Sequence, residues 1–398
     1  MENLWRGTGA RVVDLGDGIA ASYAARLLAD FDADVIKIEP PEAGDSSRAA
    51  GPFAGDRPDP ETSGMFHYLN AGKRSVALDV SDAEGSEILA KLLQSADVVI
   101  EDRGRGWFDS LLLHDSLPAH IVICSISPYG QDGPKSGFRA SELGVYAAGG
   151  MMYVTGDGSR EPVAHGLHQA AHLAGVNAAS ACLAALMLAR ATGQGQRIDI
   201  SEQEVVAMTI FPALNIYSHT GGVMRRAPSG IANLVNSSPM ETNDGYIMPS
   251  YAGLGDWQAL ASFLDVPELA DERFLTAEGR LAHAAEIDAL AAPALRARSK
   301  HDVFHEGQEW RLTFTAVQNA ADLLTCPHLE ERMFFREEEI AGGAVKMPGR
   351  VPAELGAAKP TRLATAPELG AHTNAVLIAL GLSGSEIAEL SQHRTIGP

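Results

Sequence analysis

Residues 162–200 read PVAHGLHQAAHLAGVNAASACLAALMLARATGQGQRIDI, and this stretch decides the fold. Ala171 to Arg190 holds no proline, a single glycine and many alanines and leucines, which predicts a helix. It is apolar almost all the way round, which predicts a buried helix rather than a surface one. The small residues Ala174, Gly175, Ala178, Ala179 and Ser180 allow a second backbone to come close. Asn177 is the strongly polar exception and needs a hydrogen-bond partner if buried. Thr192-Gly193-Gln194-Gly195-Gln196 breaks the helix, and Arg197 to Ile200 alternates as a short strand. Unpaired N–H groups at a helix entrance favour an anion, and Ala171 and His172 stand there.

Upstream, Ala10 to Leu15 reads as a buried strand, Ser22 to Asp30 as a helix, and Ala33 to Glu39 as the next strand. That β-α-β unit predicts parallel pairing with a right-handed crossover. Residues 40–60 are rich in Gly, Pro and Asp and read as a loop. Strands are expected at 74–80, 96–101 and 119–126, with a helix at 83–95. The expected fold is therefore α/β, a doubly wound, Rossmann-like large domain. From Thr242 the pattern changes. Asn243-Asp244-Gly245 is a hairpin turn leading into a strand at Tyr246 to Met248, and 257–264 and 282–297 read as helices. This predicts a smaller α+β domain at 229–329. It is flanked by a large domain at 1–228 and a C-terminal segment at 330–398 that returns to the large domain and carries a helix at 385–392.

With 398 residues, 45% of them hydrophobic and 21% charged, the composition is that of an ordinary globular protein. The net charge of -20 argues against a nucleic-acid partner and against anionic membrane. Leu173 to Ala189 is uncharged but short and Ala/Ser/Asn-rich for a membrane span. Cys124, Cys182 and Cys326 show no metal-ligand spacing, and the N-terminus shows no signal-peptide core, so a cytoplasmic location and no metal are expected. Gly16-Asp17-Gly18 after the first strand lacks the third glycine of a dinucleotide fingerprint, and no phosphate-binding GxxxxGK[ST] is present. No nicotinamide or flavin is expected.

Several motifs together carry a resemblance. They are Leu28-Ala29-Asp30 with Ala33-Asp34-Val35-Ile36-Lys37-Ile38-Glu39, Gly44-Asp45 and Arg48, and Asn70 with Gly72-Lys73-Arg74-Ser75. Further along stand Tyr129-Gly130-Gln131-Asp132-Gly133-Pro134, the 192–196 turn, Asp244-Gly245-Tyr246 and Trp257. Ala366-Pro367-Glu368-Leu369-Gly370-Ala371-His372-Thr373 closes the series. In this order the chain resembles the class III CoA-transferases, the family of formyl-CoA and carnitine CoA-transferases and α-methylacyl-CoA racemases. The resemblance implies an interlocked dimer, coenzyme A thioesters as substrates, and an Asp at the entrance of the buried helix that attacks the acyl thioester.

By that resemblance the Asp position falls on Ala171, or on Ala170 in the racemase register, and neither side chain is a nucleophile. The racemase histidine falls on Ser141. His172 is one residue from the missing carboxylate and about 100° away around the helix. Arg139 and Glu142 fall where some transferases carry a Lys and an active-site Glu. Leu78 and Asp79 fall where adenine rests, and Asp102 joins them among the expected CoA contacts. Pro40-Pro41 and Ser110 stand where basic residues are common, which Arg103 and Arg105 could compensate.

The resulting expectation is a non-catalytic subunit of a class III CoA-transferase, moving CoA between a donor acyl-CoA and a carboxylic acid. A homologous partner chain, as in a benzylsuccinate-type enzyme, carries the Asp; a self-dimer is the alternative assembly. Two other functions stay open: a stand-alone CoA-ester lyase or isomerase using His172 or Glu142, and a non-enzymatic CoA-ester binder.

Overall fold

The computed structural model describes residues 9–113, 117–156, 158–226, 239–249, 257–340, 343–349 and 364–397. β1 (Arg11–Asp14), β2 (Asp34–Glu39), β3 (Arg74–Ala77), β4 (Val98–Glu101), β5 (Val122–Ser127) and β6 (Arg197–Ser201) form a parallel sheet in the order β3-β2-β1-β4-β5-β6. The order reverses between β1 and β4, which is the doubly wound arrangement read from the sequence. Val12, Val98 and Val122 face a layer made by a first helix, Ile19–Asp30, and a long helix, Gln169–Thr192. Their chain neighbours Val13, Val99 and Ile123 face the opposite layer, built from Ala83–Leu93 and the C-terminal helices Thr373–Ala379 and Gly384–Gln392. A sheet covered on both faces requires apolar residues at consecutive positions, and these strands supply them.

The long helix differs from its expectation in one respect. Ala170, Ala174, Gly175, Ala178, Cys182, Ala185 and Ala189 make a narrow buried face, whereas Val176, Met187 and Leu188 are exposed. The apolar circumference thus serves two faces, of which this chain covers one. Asn177 donates to the Leu173 carbonyl at 2.9 Å, so it needs no partner from another element. Gly193, at φ 74°, ends the helix in the left-handed conformation that suits glycine.

Close approach occurs where the small residues lie. A Cβ on Gly175 would stand 2.8 Å from the Ala20 carbonyl oxygen and 3.1 Å from the Tyr23 ring. The first helix therefore rests directly on the glycine. The C-terminal segment closes the other edge of the sheet: Leu78 bridges to Ile396, Asp79 N–H donates to the Thr395 carbonyl at 2.8 Å, and His372 N–H donates to the Ser75 carbonyl at 2.9 Å. β10 (Phe335–Ile340) and β11 (Gly343–Pro348) form an antiparallel hairpin that the sequence did not announce.

By internal contacts the chain divides into one unit of residues 1–152, 164–215 and 327–398 and a second of 153–163 and 216–326. The expected boundary at 229 lies outside the described residues. The second unit holds an antiparallel sheet of β7 (Met240–Thr242), β8 (Gly245–Pro249) and β9 (Phe314–Ala316). Its core includes Trp257, Leu260, Phe263, Ile287 and Leu295 from the two expected helices, Trp257–Leu264 and Ala284–Arg296. The Asp244 turn also has a structural task, since its carboxylate accepts the Lys300 N–H at 2.7 Å.

Gly175 yields a prediction of unusual sign. In a helix interior Gly→Ala ordinarily stabilises by up to about 1 kcal/mol. Because the added methyl meets a backbone oxygen that no rotamer can move, Gly175→Ala should instead destabilise by about 1–3 kcal/mol. Urea unfolding of the two proteins tests this, and a rise in midpoint would contradict it.

Candidate functional site

A cavity of about 470 Å³ opens at the carboxyl ends of the central strands, within the size range of small-molecule sites. Asp17 and Gly18 after β1, Asp102 after β4, Ser127 and Pro128 at the end of β5 and Glu202 after β6 line it, with Glu142, His168 and Ala171. The reversal of strand order between β1 and β4 creates such a crevice.

The N-termini of the first helix and of the long helix face this space, and each is already held by a carboxylate. Asp102 accepts the N–H of Asp17 at 2.8 Å through Oδ1 and that of Ala21 at 3.1 Å through Oδ2. A dinucleotide pyrophosphate would need that same helix end. Burial nevertheless pushes the Asp102 pKa up, against the pull of these N–H donors. Glu142 does the same for the long helix, accepting from Ala170 at 2.7 Å and from Ala171 at 3.2 Å. The anion favoured at that entrance is therefore a side chain of the protein itself. His168, the N-cap residue, makes no side-chain cap bond, and it follows Leu167 in a strained turn with φ of 66° and 54°.

Glu202, which lines the cavity with Asp17, Asp102 and Glu142, is the first residue of helix Glu202–Thr209, and no hydrogen bond to its side chain is found among the described residues. Burial, then the charges of Glu142 and Asp102, raise its pKa to about 7. Ser127, 3% exposed, likewise has a hydroxyl without a partner among the described residues.

The other expected site residues are placed as follows. Ala171 lines the cavity with its methyl group. His172 does not line it: its Nδ1 is 2.8 Å from the His168 carbonyl and its ring packs edge-on against Tyr23, centroids 4.9 Å apart. Arg103 lies beside the site, donating to the Leu15 carbonyl at 2.9 Å, with a Nη1 to Asp17 distance of 3.7 Å and its guanidinium over Trp107. Arg139 and Arg105 are exposed, and neither lines the cavity. Leu78 is buried in the core, and Asp79 spends its carboxylate on the backbone N–H and hydroxyl of Ser81, which lowers its pKa. Ser141 caps the short helix Glu142–Ala148. The structure thus gathers Ala171, Glu142 and Asp102 around one space and leaves Leu78, Asp79, Arg139 and His172 outside it.

Asp17, Ser127 and Glu202 were not singled out from sequence. The available signal was positional: in an open parallel sheet the residues that follow each strand gather at one rim, and Glu202 follows the last strand directly.

Much of the remaining motif set is a buried ionic frame. Lys37 Nζ lies 2.7 Å from Asp45 Oδ2 and 3.4 Å from Asp14 Oδ2, and Lys73 Nζ lies 2.8 Å from Asp14 Oδ2. Burial alone would raise Asp14, but the two ammonium groups outweigh it and hold its pKa at about 2. Lys73 is pushed down to about 8 by burial, despite Asp14. Arg48 grips both oxygens of Glu39, at 2.7 and 3.0 Å, lies over Phe66 and donates to the Pro367 carbonyl.

Over residues 8–373 the sequence matches CoA-transferase family III. The succinate–glutarate CoA-transferase of Agrobacterium fabrum (strain C58) is 30% identical over 385 residues, which span 94% of this chain and 95% of that protein. Subunit BbsE of the succinyl-CoA:(R)-benzylsuccinate CoA-transferase of Thauera aromatica is 29% identical over 401 residues, spanning 96% of this chain and 95% of the subunit. A CAIB/BAIF family protein from Brucella suis has a similar solved structure, with a TM-score of 0.84 at 28% identity over 94% of this chain and 98% of that one.

Two substitutions probe the site. A rise of the Glu202 pKa from an ordinary 4.5 to about 7 amounts to roughly 3 kcal/mol at about 1.4 kcal/mol per pH unit. A raised carboxyl pKa favours the fold below pH 4.5, and that contribution is lost as pH climbs through 7. Glu202→Gln should therefore match the parent near pH 4.5 and exceed it by about 2–3 kcal/mol at pH 8, as read by denaturant titration at both pH values. A stability difference that does not grow with pH would refute the assignment. His172→Ala removes only edge packing and one bond to a carbonyl, and should cost about 0.5–2 kcal/mol. Thermal unfolding with the ΔH-corrected midpoint measures it, and a cost beyond about 4 kcal/mol would mean that the ring has a larger structural role.

Proposed function

The chain belongs to CoA-transferase family III, and from that premise we propose that it is a subunit of an assembly moving CoA from a donor acyl-CoA to a carboxylic acid. In this reading the chain does not supply the nucleophile, and a homologous partner chain carries the catalytic Asp. One observation carries the proposal: the residue of the long helix that lines the cavity at its first turn is Ala171, whose methyl cannot attack a thioester.

In the covalent route a carboxylate oxygen bonds to the thioester carbonyl carbon and CoA leaves as thiolate, which gives an enzyme-bound anhydride. Glu142 is poorly placed to take that role here, because both its oxygens are held by the first turn of the long helix. His172 faces Tyr23, so a stand-alone lyase or isomerase built on either residue has less support. The similarity to BbsE, which is named as a subunit, supports a heteromer. So do the exposed apolar side chains Val176, Met187 and Leu188 on the long helix and Met208, Phe211 and Leu214 after β6. Covering them fits an interlocked partner. Coenzyme A thioester is the substrate, and free thiols at Cys124, Cys182 and Cys326 suit a cytoplasmic setting.

The purified chain, given radiolabelled acyl-CoA and trapped with hydroxylamine, should carry no acyl group and exchange no CoA. The native assembly should contain a second family chain, identified by mass, and the label should reside on that chain. Label on this chain, or full exchange by a pure homodimer, would overturn the proposal. A native assembly that binds CoA esters without exchange would favour the non-enzymatic binder.

A further inference from the structure

We propose that the cavity of this chain takes CoA thioesters with uncharged acyl groups and turns away dicarboxylic acyl groups, with Glu202 as the discriminating residue. This rests on the reading that the chain binds CoA thioesters. The argument is one of charge balance at the acyl end. Asp17, Asp102, Glu142 and Glu202 line the space, and the lining among the described residues contains no lysine or arginine. The N-termini of the first helix and of the long helix are already taken by Asp102 and Glu142. Glu202 stands without such a donor. The free carboxylate of a dicarboxylic acyl chain would meet it in a partly enclosed space, where like charges repel far more than in water.

An uncharged acyl chain meets no such opposition. The lining offers it Ile19, Ala20, Met65 and Ile126 for apolar contact, and the Ser127 hydroxyl, without a partner among the described residues, is a donor for the thioester carbonyl oxygen. Burial, then the charges of Glu142 and Asp102, raise the Glu202 pKa to about 7, the direction expected where negative charges crowd one partly enclosed space. The titratable groups that line the space with Glu202 are Asp17 after β1, Asp102 after β4, Glu142 on its short helix and His168 before the long helix. Within the heteromer this divides the work: a dicarboxylic donor ester belongs to the partner's cavity.

The test is calorimetric titration of the full chain at pH 8 with CoA, butyryl-CoA and succinyl-CoA. Butyryl-CoA should bind at least about tenfold more tightly than succinyl-CoA. Glu202→Gln should shrink that ratio to a few-fold. Should the variant fail to fold, the parent protein serves: between pH 8 and pH 6 its ratio should narrow as Glu202 takes up a proton. Equal or tighter binding of succinyl-CoA by the parent overturns the inference and leaves the transferase reading standing. A ratio unchanged by both Glu202→Gln and pH does the same. Failure of all three compounds to bind overturns the inference and, with it, the reading of this chain as a CoA-ester subunit.

Discussion

The contact on which the rest of the large unit depends is the buried meeting of Asp14 with Lys37 and Lys73. All three side chains are shut away from water, and the two ammonium groups approach one carboxylate oxygen. Lys73 also donates to the Ser22 carbonyl and to Asn70 Oδ1, at 2.8 and 2.7 Å, while Lys37 reaches the Gly16 carbonyl at 3.2 Å. One charged cluster thus fixes the end of β1, the turn into the first helix and the approach to β3. Removing one partner of a buried pair leaves the other uncompensated and typically costs about 3–5 kcal/mol. That penalty acts as a positional constraint: the 16–18 turn can sit in one place only. There Asp102 reaches the first helix, and the first helix rests on Gly175.

Most of this scaffold could be read in the sequence because each element had to satisfy a local rule. Val12 and Val13 are both apolar since they face different layers, and Gly193 stands where a left-handed residue ends the helix. Asn243-Asp244 announced its own hairpin. The misses have a shared cause. Helix Glu202–Thr209 and the hairpin of β10 and β11 are short, so neither offers enough period to separate from a loop. Likewise, Cys124 and Cys182 are far apart in sequence yet hydrogen-bonded in the core, which raises the Cys124 pKa well above its ordinary value.

The site was harder to read than the fold for a related reason. Lys37, Glu39, Asp45, Arg48 and Lys73 look like chemistry in a string of letters, and in the structure they are a frame with every charge matched. Leu78 and Asp79 occupy an edge sealed by the C-terminal segment. Glu202, by contrast, follows a strand with alternating residues and resembles any acidic residue opening a helix. Its setting is created by Glu142 and Asp102, which lie 60 and 100 positions upstream of it. No local pattern encodes such a meeting.

The same separation of frame and chemistry explains how this fold can stand with alanine at 171. Position 171 lies in the first turn of the long helix, where its N–H bonds to Glu142 and its side chain packs, partly buried, at the edge of the core. Alanine suits a helix, and the bond from its N–H to Glu142 is a backbone bond that any side chain would allow. The packing demands fall instead on Ala174, Gly175, Ala178 and Cys182, which meet the first helix and the sheet. A carboxylate at 171 would bring a further negative charge beside Asp17, Asp102, Glu142 and Glu202. On the proposed reading the nucleophile is left to another subunit, while the first turn of the long helix keeps its bonds to Glu142.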